Sequence, residues 1–200
     1  GGQVFWAATG QQACSYIVQL ARARGVRLVV KGKSMVTEEI ELNHALQRQD
    51  IEVVETDLGE YIIQLAGERP SHIVAPAIHK TRRDVAELFE KKLGMPPTDD
   101  IPRLTAQARS VLREKFLAAG MGVTGANFAV AETGSIVVVE NEGNIRFCTS
   151  VPRIHVAVVG IEKVIPRQAD LAVFLRLIAR SATGQKMGAY MSVVTGARRA

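Results

Sequence analysis

The chain has 200 residues, 47% hydrophobic and 22% charged, with a formal net charge of +5. This is ordinary globular usage and allows one domain with a sizeable core. No apolar run approaches the ~20 residues of a membrane span. The opening GGQVFWAATG shows neither a basic region followed by an apolar run nor a cleavage site, so the composition argues for a soluble, unsecreted protein.

The charge is scattered: Arg22, Arg24 and Arg27, then Arg82 and Arg83, then Arg198 and Arg199. Without a long basic block, and with only 5% aromatics, nucleic-acid binding is disfavoured. Cys14 and Cys148 each lack a neighbouring cysteine and read as two buried thiols in a reducing compartment. The chain lacks an initiator Met, opens almost directly into a strand-like segment and stops just after another, as an excerpt of a longer protein would.

In chain order, a strand is expected at Gln3 to Ala7. A helix over Gln11 to Arg24 carries Tyr16, Ile17 and Leu20 on one face, with Gly25 as its stop. Val26 to Val30 is short and continuously apolar, as in a strand covered on both faces. A helix containing Leu42, Ala45 and Leu46 leads to a strand at Ile51 to Glu55. A short helix at Leu58 to Leu65 and a strand at His72 to Pro76 follow. The next helix has Val85, Leu88, Phe89 and Leu93 as its core face, and Gly94, Pro96 and Pro97 end it. Thr98 to Gly120 is expected to form one long helix, with Asp100 to Pro102 as an alternative turn before it. This alternation predicts parallel strands joined by crossovers.

From Ser135 the expected strands come without helices between them: Ser135 to Glu140, Ile145 to Thr149 and Ile154 to Val159. A hairpin closed by Asn141, Glu142, Gly143 and Asn144 makes this portion antiparallel. A helix over Gln168 to Arg180, with Leu171, Phe174, Leu175 and Ile178 inward, and a strand at Tyr190 to Val194 complete the chain. The expected fold class is therefore α/β, a mixed sheet of parallel βα units followed by an antiparallel hairpin insertion.

The densest mixture of turn-forming, polar and apolar residues lies between Gly122 and Asn144. Asn127, Thr133, Gly134, Asn141 and Asn144 are its candidate ligand contacts. Glu132 is the candidate catalytic acid or base, because a partly buried carboxylate without a donor shifts toward its neutral form. The alternative role for these side chains is to serve the turns themselves.

Lys31, Gly32, Lys33 and Ser34 resemble the end of a phosphate-binding loop, but position 27, where that motif needs a glycine, is Arg. What remains is a weaker anion site over Lys31, Lys33, Ser34 and Thr37 at a helix start, partly neutralised by Glu38 and Glu39. His79 and Lys80 follow an expected strand and are candidates for the same crevice, since ligands of open α/β sheets bind outside the carboxyl ends of the strands. His155, inside a strand, reads as structural. No metal-binding His pair is present.

The runs VVKGKSMVTEEIELNHAL, ETDLGEYIIQLAGE, PSHIVAPAIHKTR, GANFAVAETGSIVVVENEGN, PRIHVAVVGIEKVIP and RSATGQKM, in that order, resemble the LUD domain of the lactate utilization protein B family nearly end to end. The resemblance implies a fold like that of the ribose-phosphate isomerase and CoA-transferase group. It implies a cytoplasmic bacterial protein whose LUD domain precedes a ferredoxin-like region with two [4Fe-4S] clusters. It also implies a role, with two partner lactate utilization proteins, in oxidation of L-lactate to pyruvate. Neither cysteine belongs to a CxxCxxC array, so no cofactor is expected in this stretch and the clusters are expected beyond residue 200. The leading reading is a domain that binds lactate or a related small anionic ligand, and two alternatives stay open: a docking module for the partner subunits without chemistry, and a transferase or isomerase of phosphorylated or CoA-linked compounds by analogy of fold.

Overall fold

A computed structural model describes residues 2–71, 75–186 and 188–197. The expected first strand is absent: residues 3–7 have no regular structure and lie exposed, with Phe5 stacked on Tyr16 at 4.1 Å. Helix α1 (Gly10–Ala23) starts where Thr9 Oγ1 accepts the Gln12 amide, and it buries Cys14, Ile17 and Ala21. Strand β1 (Leu28–Lys31) follows, buried along its whole length. The next expected helix is two short ones, α2 (Met35–Glu39) and α3 (Leu42–Gln47), broken at Ile40 and at Glu41, whose φ is +55°.

Strand β2 (Glu52–Glu55) and helix α4 (Leu58–Ala66) lie where the periodicity puts them. Most of the expected strand at His72 to Pro76 falls on residues 72–74, outside the described residues. Helix α5 (Arg82–Leu93) opens with a reciprocal cap between Thr81 and Asp84. Helix α6 (Ile101–Ala118) is capped by Asp100 and buries Leu104, Ala108, Leu112 and Phe116.

Three strands were hidden in the sequence: β3 (Met121–Thr124), β4 (Phe128–Val130) and a two-residue strand at Val164–Ile165. Strand β5 (Ser135–Glu140) is as expected. The following segment corrects the sequence reading, because residues 144–150 form helix α7 (Asn144–Ser150) and not a strand. Its apolar residues are too few to reveal a period. Its start is set from outside, by the Glu140 carboxylate, which accepts the amides of Ile145 at 2.8 Å and Arg146 at 3.1 Å. The hairpin of this region therefore joins β4 to β5 through residues 131–134, and does not close at 141–144. Strand β6 (Ile154–Ala157), then β7 (Val164–Ile165), helix α8 (Leu171–Thr183) and β8 (Tyr190–Val194) complete the order.

Two sheets result. The first has order β2-β1-β3-β6 and is parallel throughout, with Leu28 opposite Glu52, Val29 opposite Met121 and Met121 opposite Ile154. Strand β6 thus joins the parallel sheet, contrary to the antiparallel placement expected for it. Helices α1 and α3 cover one face around Val29, Val53, Met121 and Val123, and α4, α6 and α7 cover the other around Val30, Val54, Leu112 and Cys148. Alternating βα units dictate this arrangement, since strands buried on both faces need helices on both.

The second sheet, β7-β4-β5-β8, is mixed: β4 and β5 are antiparallel, β5 and β8 are antiparallel, and β4 and β7 are parallel. Leu171 of α8 packs with Val130, Val137 and Ile165. Phe174, expected inward, is partly exposed, although its ring meets Phe128 at 5.2 Å. The expected α/β class with parallel βα units and a hairpin insertion holds, with the hairpin carried in a separate sheet.

Candidate functional site

The carboxyl ends of β1, β2 and β3 bring Lys31, Glu55 and Thr124 to one edge of the parallel sheet. Lys31 is fully buried; its Nζ lies 2.9 Å from Glu55 Oε1 and donates to Thr37 Oγ1 at 3.2 Å. Glu55 also accepts Asn43 Nδ2 at 2.7 Å, leaving Glu55 Oε2 and Asn43 Oδ1 buried without partners. A buried ammonium needs such a counter-charge and acceptors, because desolvation alone would drive it neutral.

Above this pair runs the loop to α2. The Lys33 amide donates to Asp57 Oδ2 at 2.6 Å, and its ammonium stands 3.4 Å from Glu60 Oε1 with about a third of the side chain (32%) exposed. That oxygen counts as unpartnered by hydrogen-bond geometry, so the contact is one of charge rather than of alignment. Ser34 caps α2 through the Thr37 amide, and Thr37 Oγ1 donates back to the Ser34 carbonyl.

Helix α7 closes the other side. Asn144 Nδ2 donates to Thr56 Oγ1 at 3.1 Å, and Thr56 Oγ1 donates to the Lys31 carbonyl at 3.0 Å. Asn144 Oδ1 is buried and unpartnered. Glu142 accepts the Leu58 amide at 3.0 Å, tying the β5–α7 connection to the start of α4. Helix α7 approaches so closely because position 122 is glycine: a Cβ there would stand 2.0 Å from the Cys148 carbonyl oxygen.

Electrostatically this edge is crowded with acids. Burial raises the carboxyls of Asp57, Glu60, Glu140 and Glu142 above their ordinary range, with Glu38 and Glu55 adding to the effect on Glu60. Lys33 opposes the shift at Glu60. This edge therefore holds carboxyl groups suited to keep or release a proton, one partly exposed ammonium, and buried acceptor oxygens of Asn43, Glu55 and Asn144 without a hydrogen-bond partner.

The structure gathers Lys31, Lys33, Ser34, Thr37 and Asn144 of the expected site residues. It does not bring Glu132, Thr133 and Gly134 to them. These three form the β4–β5 hairpin tip, roughly 15 Å from its base at the usual rise per residue. There Glu132 accepts the Gln168 amide at 2.8 Å and Thr133 meets Ser135 at 2.7 Å. Asn127 sits at the hairpin base but spends its Oδ1 on the Val139 amide, and Asn141 accepts the Ala189 amide. His79 and Lys80 both bind Glu68, His79 at 2.7 Å, on an exposed loop. His155, read as structural, meets Thr124 Oγ1 at 2.8 Å, and burial lowers its pKa.

Sequence reasoning missed Asn43, Glu55, Thr56, Asp57, Glu60, Glu140 and Glu142. The available signal was Glu55, Thr56 and Asp57 at a strand-to-helix junction, the same position that drew attention to Lys33.

The thiols do not fit an iron-sulfur cluster. Cys14 and Cys148 are buried in different cores; Cys14 donates to the Ile40 carbonyl, and burial pushes Cys148 up to about 12, where a thiolate ligand needs the opposite. Among the described residues no group of His, Cys, Asp and Glu is placed to hold a metal ion, and no helix is long and apolar enough to cross a membrane.

Comparison with known proteins gives the chain its family. Lactate utilization protein B of Bacillus pumilus (strain SAFR-032) is 51% identical over 195 residues, 97% of this chain and 41% of that protein. The uncharacterized electron transport protein YkgF of Escherichia coli (strain K12) is 48% identical over 200 residues, 100% of this chain and 42% of that protein. The chain thus spans about two fifths of the length of these curated relatives. A crystal structure of a DUF162 family protein from Deinococcus radiodurans covers 68% of this chain at 18% identity, with a TM-score of 0.34, a likeness too distant to bear on the site. The family model of the LUD domain matches residues 1–200, and with relatives of about half identity along its whole length the chain belongs to the LUD domain family.

Proposed function

We propose that this chain is the domain of a lactate utilization protein that holds a small hydroxy acid, L-lactate, at the carboxyl edge of the parallel sheet. The observation that carries the reading is the partly exposed Lys33 ammonium, ion-paired with Glu60 at 3.4 Å, beside the buried Asn144 Oδ1, which has no hydrogen-bond partner. A hydroxy acid presents a carboxylate for the first and a hydroxyl donor for the second. The names of the relatives, lactate utilization and electron transport, support the same pathway.

In this reading Lys33 binds the carboxylate, and Asn144, held by Thr56, orients the hydroxyl. Glu60, already shifted toward its neutral form, takes the proton-handling role that the sequence suggested for Glu132. Lys31 and Glu55 position the loop and stay out of contact with the ligand. The redox step belongs to the larger assembly: two [4Fe-4S] clusters outside this stretch and two partner lactate utilization proteins in the cytoplasm. No step is assigned to a cluster within these residues, whose thiols do not fit one.

Titration calorimetry of L-lactate and pyruvate into the full-length protein tests the proposal. Lys33→Ala is expected to weaken binding about tenfold or more, the usual cost of a lost charge-assisted hydrogen bond. Equal affinity in the variant and the parent would refute the site.

A second reading has its own support. On α8, Val173 and Leu177 are 60% and 56% exposed, and Met191 and Val193 of β8 are exposed on an edge strand. Such apolar exposure suits docking of a partner subunit. If Leu177→Asp abolishes co-purification of the partner proteins while L-lactate binds neither parent nor variant, docking is the function of the domain.

A further inference from the structure

At the amino ends of the parallel strands, across the sheet from the crevice, β1, β3 and β6 enter beside the last turns of α1 and α6. An open groove of about 630 Å³ lies there, lined by Arg24, Arg27 and Arg153 over a floor of Val26, Leu28 and Ile154. Among the described residues no acidic side chain lines it. None of the three guanidinium groups has an ion pair or hydrogen bond to a described residue, although Arg22 nearby is engaged with Gln49.

Cations after a helix C-terminus commonly answer the helix dipole. Arg24 stands at the C-cap of α1, but its guanidinium donates to none of the final carbonyls; the bonds at that cap are made by its backbone amide. Arg27 and Arg153 belong to the entries of β1 and β6, and neither guanidinium donates to a helix-end carbonyl of a described residue. Three like charges around one concavity repel one another, and a stable surface normally intersperses signs. A planar fork of donors is suited to carboxylate and phosphate oxygens, which it can meet two at a time. The groove volume lies in the range of small-molecule sites, and its floor is apolar.

We propose that this groove binds a small polyanion carrying two or more phosphate or carboxylate groups, held by Arg24, Arg27 and Arg153, with any apolar portion against Val26, Leu28 and Ile154. The site is separate from the hydroxy-acid crevice. Strands of four residues place the two edges roughly 13 Å apart, so either site can fail a test without the other.

Pyrophosphate and citrate are titrated separately into the full-length protein at low and high salt. The expected result is saturable one-to-one binding of at least one of them, weakening as salt rises. Arg24→Ala, Arg27→Ala and Arg153→Ala are each expected to lose about tenfold or more in affinity. Arg27→Lys, which keeps the charge and loses the fork, is expected to lose part of that. Preference for pyrophosphate assigns a phosphorylated ligand, and preference for citrate assigns a polycarboxylate.

The three side chains are exposed, so melting curves of the single variants should match the parent and keep the affinities interpretable. The proposal is overturned if neither anion binds, or if both bind the triple alanine variant as tightly as the parent. It is also overturned if only poly-aspartate shows arginine-dependent binding, since the face is then a contact for an acidic protein.

Discussion

Substitution of Gly122 by alanine probes the packing on which the crevice depends. Position 122 lies in β3, the strand between β1 and β6, and a Cβ there would meet the Cys148 carbonyl oxygen at 2.0 Å and its carbonyl carbon at 2.8 Å. Both are backbone atoms, so relief requires moving α7 as a body by about 1 Å or more, because real contacts begin above 3 Å. Overpacking of this kind costs roughly 1–3 kcal/mol and more when backbone must shift. For a chain of this size, about 3 kcal/mol lowers the melting temperature by roughly 6–12 °C. Moving α7 also strains the Asn144–Thr56 contact, so Gly122→Ala should weaken L-lactate binding along with stability. Differential scanning calorimetry with parallel ligand titration provides both readouts. If the variant melts within about a degree of the parent, α7 does not pack on β3 as described, and the strand expected at residues 145–149 becomes the better description.

Three further outcomes are expected. Lys31→Met leaves the Glu55 carboxylate buried without its cation, which costs about 3–5 kcal/mol. The double variant with Glu55→Gln should recover part of this, and urea denaturation that finds the single change neutral would contradict the buried pair. Glu60 has its pKa raised in the fold, so the native state binds the proton more tightly than the unfolded chain, and stability falls as pH rises from about 4.3 toward the folded value. Glu60→Gln should therefore gain stability relative to the parent as pH rises through that window, and a difference of opposite sign in denaturant midpoints refutes the assignment. Finally, Cys14 and Cys148 are buried with raised pKa, so a disulfide-exchange reagent should modify neither at an appreciable rate until denaturant is added. Rapid labelling of the native protein would show that one of the cores is open.

Much of the first two thirds of the chain is determined locally and can be read in its residues. The caps at Thr9, Thr81 and Asp100, and the helical spacing of Leu104, Ala108 and Leu112, need only near neighbours to act. The same holds for the short apolar runs of β1 and β2, and for the choice of Lys31, Lys33, Ser34 and Thr37 at a strand's carboxyl end. Contacts between distant parts of the chain decided the rest. Residues 144–150 became a helix because Glu140 receives their first amides and Gly122 leaves room for the Cys148 carbonyl. Strand β3 is too short, and too interrupted by glycine and threonine, to show a period. Glu132 went to a hairpin tip because β4 and β5 pair with each other and carry the turn away from the parallel sheet. The acids of the sheet edge come from two stretches, 55–60 and 140–142, and the groove arginines from 24–27 and 153, which are far apart in sequence. A local pattern cannot report a cluster whose members meet only when the sheet forms, and it is burial in the folded chain that raises the carboxyls of Asp57, Glu60, Glu140 and Glu142.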